Sequence, residues 1–284
     1  MPDSSQVVLI TGCSTGIGRA TAERLGDAGH KVYATARRLD SIADLEGRGC
    51  RILVLDVTDE QSMQAAVAAV EQAEGAVGAL VNNAGYSQSG AVESLDLDAV
   101  RRQFETNVFG LVRMCQLVLP GMRRQGYGRI VNISSIGGKL VFPGGGAYHG
   151  TKHAVEAFSD ALRFEVKGFG IDVSIVEPGL IKTEFANAAT TALSEGAAAD
   201  GPYASFNGAV GKLTAGAYEG GPAAMLGGGP ERVAKAIEKA ISRRRPKTRY
   251  RVTPSAYLAL GQRRISSDRM WDAFVRTQFP RPRG

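Results

Sequence analysis

The chain has 284 residues, 44% hydrophobic and 22% charged, with a formal net charge of +6. That length buries a full core without disulfides or metals and suits one large domain or two small ones. Cys13, Cys50 and Cys115 are odd in number and scattered, which excludes a disulfide framework and fits a reducing, cytoplasmic setting.

The polar lead Met1–Gln6 runs straight into Val7-Val8-Leu9-Ile10, which reads as no secretory signal. No segment approaches the roughly 18 uncharged apolar residues of a membrane span. From Arg243 onward there are twelve Arg/Lys and two acidic residues, leaving the first 242 residues at −4 net. A basic tail of this kind can meet nucleic acid or an anionic membrane surface. Tyr257, Leu258, Leu260, Trp271, Phe274 and Val275 within it point instead to packing, so 254–284 is read as an extension docked on a domain spanning 1–253.

In chain order, a strand at 7–11 leads into Thr11-Gly12-Cys13-Ser14-Thr15-Gly16-Ile17-Gly18 and a helix near 17–28. Strand, glycine turn and helix start form a dinucleotide-binding context, in which free N–H groups hold a pyrophosphate. The Gly-x-x-x-Gly-x-Gly spacing departs from the usual Gly-x-Gly-x-x-Gly fingerprint, and no Lys-Ser/Thr pair follows to make a P-loop. A second strand at 31–35 ends in Ala36-Arg37-Arg38, with no acid to bond a ribose 2′-hydroxyl and a guanidinium able to fork a 2′-phosphate. The expected cofactor is NADP(H), with NAD(H) as the alternative.

A strand at 51–55, a helix near 60–73 and a strand at 79–82 follow, the last ending in Asn82-Asn83-Ala84-Gly85. One long helix is expected over 98–125, carrying Asn107. A strand at 129–133 precedes Ser134-Ser135, and a helix near 147–167 opens on Tyr148-His149-Gly150-Thr151-Lys152. Spacing of four puts the Tyr148 phenol and Lys152 ammonium on one helix face. His149 and His153 also sit four apart, but no third ligand suggests itself and no metal is expected. Arg129 and Lys139 are read as surface charges.

Strands at 172–176 and 248–252 flank the Ala/Gly-rich stretch 186–229 and a helix near 231–242. That stretch is read as a substrate lid with Phe185, Tyr203 and Phe206 as lining candidates. Apolar strands alternating with helices predict an α/β fold: one doubly wound, Rossmann-type domain with a parallel seven-stranded sheet and helices on both faces.

TGCSTGIG, NNAG, Asn107, VNISS, YHGTK and EPGLIKT (177–183) occur in the order and spacing of the short-chain dehydrogenase/reductase family, which the chain resembles over roughly residues 5–185. The TGCS and VYAT stretches resemble its hydroxysteroid- and retinol-dehydrogenase-like members more weakly. The resemblance implies Tyr148 as general acid/base, Ser135 bonding the substrate oxygen, Lys152 binding the nicotinamide ribose and lowering the phenol pKa, and Asn107 positioning a water in a proton relay. It places Asp56 and Val57 at the adenine, Asn83, Ala84 and Gly85 near the adjoining ribose, and Pro178, Gly179, Ile181 and Thr183 toward the carboxamide.

The implied activity is carbonyl/alcohol interconversion on a small apolar substrate, with Val141, Phe142 and Phe185 suggesting the pocket. A homodimer or homotetramer is expected through the 98–125 and 147–167 helices. The alternative is a catalytically silent dinucleotide-binding redox sensor. No helix-turn-helix or aromatic-basic pattern supports nucleic acid as a partner.

Overall fold

The computed structural model describes residues 7–182, 201–219 and 225–279. Its seven strands are β1 Val7–Ile10, β2 Lys31–Ala36, β3 Arg51–Val54, β4 Ala79–Asn82, β5 Gly128–Ile133, β6 Ile171–Glu177 and β7 Arg249–Arg251. All pair in parallel in the order β3-β2-β1-β4-β5-β6-β7. Every residue of β1, β4 and β5 is buried, because helices cover both faces and leave no strand side for water.

On one face, α1 (Gly16–Asp27) and α7 (Pro230–Ser242) bury Ala22, Leu25, Val233 and Ile237 against alternate strand residues. On the other, α2 (Glu60–Glu74), α4 (Gly110–Gln125) and α5 (Gly146–Glu165) bury Val67, Met114, Val118 and Val155. The doubly wound sheet expected from the alternating pattern is therefore the one observed.

Two segments differ from the sequence reading. The single helix expected over 98–125 is α3 (Leu97–Phe104) and α4 joined by a π-helical turn, Glu105–Phe109. An extra residue in the i→i−4 ladder makes such a turn, and Asn107 sits within it. Part of the 186–229 stretch is regular: Ala204–Glu219 forms α6, which buries Phe206 and Val210 against Ala91. Its small residues carry weak periodicity, which hid the helix. Residues 186–200 and 220–224 of that stretch lie outside the described residues.

Arg129 is not a plain surface charge, and Lys139, though exposed as expected, is paired. Arg129 is 7% exposed, stacks over the Tyr127 ring at 4.7 Å and bonds Asp172, its cross-strand neighbour on β6, at 2.8 Å. Lys139 Nζ lies 2.8 Å from the buried Glu156 carboxylate. Asp172 meets Arg129 through strand register and Glu156 meets Lys139 through the docking of α5, so neither pairing is visible in the local sequence.

After β7, the chain forms α8 (Pro254–Ile265) and α9 (Asp268–Gln278), capped by Thr253 and Ser267. Leu260 and Trp271 bury together with Leu140, and the Trp271 indole N–H donates to the Val141 carbonyl at 3.4 Å. Among the described residues, no helix is long and apolar enough to cross a membrane. Trp271→Ala removes the largest side chain of this contact and should cost about 3–5 kcal/mol. Urea denaturation followed by circular dichroism checks it; an unchanged midpoint would mean that α8 and α9 contribute nothing to the stability of the domain.

Candidate active site

The strand order reverses between β1 and β4, and a crevice opens beyond their carboxyl ends. Thr11 and Asn83 hold the two strand ends together. The Thr11 hydroxyl oxygen accepts from the backbone N–H groups of Asn83 and Ala84, both at 3.0 Å. The Asn83 amide donates to the carbonyls of Thr11 and Gly12 at 3.0 and 2.9 Å.

The turn between them needs its glycines. Gly12 lies at φ +73°, and a Cβ there would meet the Ala84 Cα at 3.0 Å. A Cβ on Gly18 would fall 2.2 Å from the Gly12 carbonyl oxygen, so this residue serves close packing of α1 on the turn and does not line the crevice.

The crevice is a cleft of about 870 Å³. Gly12, Ser14, Thr15, Gly16 and Ile17 form its floor at the start of α1. Arg37, Asp56 and Val57, following β2 and β3, line one side of the reversal. Asp56 is oriented by Thr58, whose N–H and hydroxyl donate to its carboxylate at 2.9 and 2.8 Å. Arg37 is exposed, and among the described residues no carboxylate pairs with it. Arg38 is exposed and stands outside the cleft.

Across the reversal, Asn83, Ala84, Gly85, Ser135, Tyr148, Lys152, Pro178, Gly179 and Ile181 line the other side. The Ser135 hydroxyl oxygen accepts from the Gly137 N–H at 3.1 Å and caps the short 3₁₀ turn Ile136–Gly138, which leaves its own proton to donate. Lys152 is buried and donates to the Ile133 carbonyl at 2.8 Å, with its ammonium 5.8 Å from the centre of the Tyr148 ring. Burial lowers its pKa to about 8, opposed by the nearby Glu156 charge.

Asn107 is buried behind the cleft wall. Its side-chain oxygen accepts from the Tyr86 N–H at 3.0 Å, while its amide donates to the Tyr86 carbonyl at 2.9 Å and the Thr151 hydroxyl at 3.1 Å. The Thr151 hydroxyl donates in turn to the Tyr148 carbonyl at 2.7 Å. Thr183 and Phe185 lie outside the described residues. Tyr203 packs with Phe206 and Ala91, away from the cleft.

Sequence reasoning gave no role to Thr11, Thr151 or the buried ladder Asn82–Asn132–Ser159, in which Asn82 and Asn132 each donate at 2.9 Å. Thr11 stood inside the quoted glycine motif. Asn82 ends β4 and Asn132 lies inside β5, both at buried positions where an apolar residue would be expected, which was a usable signal.

A family model of short chain dehydrogenases matches residues 6–194. The chain belongs to this family. An uncharacterized oxidoreductase of Escherichia coli, YbbO, is 33% identical over 94% of the chain and 93% of its own length. A 3-ketodihydrosphingosine reductase of Bacteroides thetaiotaomicron is 44% identical over 181 residues, spanning 63% of the chain and 65% of that protein.

Among solved structures, a short-chain dehydrogenase from Streptomyces avermitilis aligns at TM-score 0.78 with 37% identity, covering 93% of each chain. Serine dehydrogenase in its closed form with NADP+ aligns at TM-score 0.74 with 29% identity, covering 87% of this chain and 94% of its own.

One side chain of this short-chain dehydrogenase gives a pH signature. His149, wedged between Gly137 and Gly145, accepts at Nδ1 from the Phe142 N–H, and burial lowers its pKa from 6.5 to about 4. The unfolded chain therefore binds the extra proton first as pH falls through 6.5, and stability drops in that window. Taking pH 7 to pH 5 should cost roughly 2 kcal/mol through this group. The pH dependence of urea denaturation checks it: the loss should shrink by that amount in His149→Gln, and an unchanged slope would clear His149.

Proposed function

We propose that this short-chain dehydrogenase interconverts a carbonyl and an alcohol with NADP(H), using Tyr148 as general acid/base on a small, apolar substrate. The observation that carries the reading is one cleft with Ser135, Tyr148 and Lys152 on one side of the strand reversal and an unpaired Arg37 on the other. Its floor fits a dinucleotide: a glycine turn that a Cβ would obstruct, the start of α1 with free N–H groups, and an oriented Asp56 beyond.

When bound, a nicotinamide supplies the hydride chemistry. The protein's part is to move a proton and hold an oxygen. A free phenol titrates near 10, so work near neutrality requires a shift of about 3 units, or roughly 4 kcal/mol. A cation about 4 Å from a phenolate, at an effective dielectric of 20, supplies about that much. Lys152, with a pKa of about 8, is largely protonated at pH 7 and sits on the next turn of the same helix.

Tyr148 donates its proton to the substrate oxygen in reduction and regains it in oxidation. Ser135 donates a second hydrogen bond to that oxygen and stabilises its developing charge. Asn107 acts as a positioning residue: through Thr151 it ties the π-turn and the Tyr86 backbone to the Tyr148 carbonyl.

Arg37 favours NADP(H), since its planar fork matches a 2′-phosphate and, among the described residues, no competing carboxylate engages it. NADP in several of the similar solved structures supports the same preference. The apolar character of the substrate rests on the sequence reading alone, since Phe142 packs with Leu140, Leu260 and Trp271 and does not line the cleft. The name of the Bacteroides reductase, with its keto group, points to ketone reduction as the first chemistry to assay. Exposed Phe109, Phe158 and Phe164 on the π-turn and α5 favour a homodimer or homotetramer.

Arg37→Ala should weaken NADPH binding about 10- to 100-fold, the worth of one or two charge-assisted hydrogen bonds, and leave NADH binding unchanged. Fluorescence transfer from Trp271 to the reduced cofactor reads both affinities. Equal binding of NADPH and NADH, indifferent to the substitution, would remove the NADP assignment. Tyr148→Phe should bind NADPH like the wild type and lose about 10²- to 10⁴-fold in kcat on any ketone turned over; retained turnover would remove Tyr148 from the chemistry.

A further inference from the structure

Directly behind the cleft lies a buried charge cluster that none of the roles above uses. Glu156 and Glu177 have side chains only 4% and 1% exposed. Arg249, from the three-residue edge strand β7, reaches both. Its guanidinium donates to Glu156 at 2.9 and 3.2 Å and to both carboxylate oxygens of Asp160 at 2.7 Å, and its Nε stands 3.1 Å from Glu177. Lys139 closes the Glu156 side at 2.8 Å, and Arg251 lies 3.4 Å from Glu177. Two carboxylates out of water are tolerated only with such partners, so the geometry here is held firmly.

The cluster joins three segments that each deliver a residue to the cleft. Glu156 is one turn beyond Lys152 on α5. Glu177 ends β6, immediately before Pro178 and Gly179. The turn after Ser135 is pressed onto the same place: a Cβ on Gly138 would sit 2.9 Å from both Glu156 Cγ and the Lys152 carbonyl oxygen.

We propose that Arg249 is a positioning residue for the reaction, one guanidinium fixing the catalytic helix against the β6 exit and balancing the carboxylates behind Lys152. It touches neither cofactor nor substrate. Its effect reaches the cleft in two ways, by holding Pro178 and Gly179 in register with Lys152 and by setting how much of the negative charge behind Lys152 acts on its ammonium. The inference rests on the catalytic reading of Lys152 given above.

The charged and titratable groups on the elements around Lys152 are Tyr148, His149, His153, Glu156 and Asp160 on its own helix, Arg102 and Glu105 in the cleft wall, Lys139 after β5, Glu177 on β6, and Arg249 and Arg251 on β7. Removing a cation from this set raises the Lys152 midpoint; removing a carboxylate lowers it.

The Lys152 titration is followed in the full chain by NMR of ¹³Cε-lysine, assigned by the signal missing from Lys152→Ala. No cofactor or substrate is present in the titration, so the midpoint stands apart from the NADP preference and from turnover; NADPH affinity is measured separately. Arg249→Ala should raise the midpoint by about 0.5–1 pH unit and weaken NADPH binding at least ~5-fold, while Arg249→Lys keeps both near wild type. Should Arg249→Ala fail to fold, Glu156→Gln carries the test, with the midpoint expected to fall. A purely structural brace would lower the melting temperature of Arg249→Ala and leave midpoint and affinity in place, which would overturn the proposal. An unmoved midpoint in Glu156→Gln would overturn it equally.

Discussion

Where two parallel strands end side by side with their helices leaving in opposite directions, the backbone groups at the strand ends need partners that the sheet cannot give. Thr11 and Asn83 provide them here, six atoms of two side chains and the neighbouring backbone closing four hydrogen bonds across β1 and β4. Everything on the cleft floor hangs from this clasp. It fixes where the glycine turn begins, and so where the start of α1 points. It also sets the height of Ala84 and Gly85 relative to Lys152, since a Cβ on Gly85 would lie 3.8 Å from the Lys152 ammonium. A looser junction would cost little in burial and much in alignment.

The second dependency is electrostatic. An ammonium buried as Lys152 is would lose its proton readily, and its usefulness beside a phenol depends on keeping it. The Ile133 carbonyl and the Glu156 charge hold it in the protonated range at neutrality, while burial keeps the charge strong by excluding water. The two demands pull in opposite directions. A more exposed lysine would be more reliably charged and less effective; a more isolated one would be neutral.

How much was legible in the sequence follows from how local each feature is. The strands and the glycine turn were readable because their signals fit within ten residues, and Tyr148 with Lys152 because helical spacing carries them together. The π-turn was not, since Glu105–Phe109 has ordinary helical composition and its cause is the Tyr86 backbone drawing on Asn107 from another segment. Helix α6 was missed because Ala and Gly dilute its apolar period. Arg129 was misread, and the pairing of the exposed Lys139 was missed, because the partner carboxylates Asp172 and Glu156 come from other segments and are adjacent only through sheet register and helix docking.

Asn107 shows why a motif match and a role are different things. The matching position is occupied by the matching residue, yet its carboxamide is spent on the Tyr86 backbone and Thr151, one layer behind the cleft wall. The chain it starts, Asn107 to Thr151 to the Tyr148 carbonyl, ends on the backbone of the residue whose phenol is the proposed acid/base. A side chain can thus matter to the chemistry by fixing the helix turn from which the phenol projects. Buried hydrogen bonds serve that purpose well, because leaving either partner unmatched costs about 1–3 kcal/mol and so keeps alternative placements of the turn scarce.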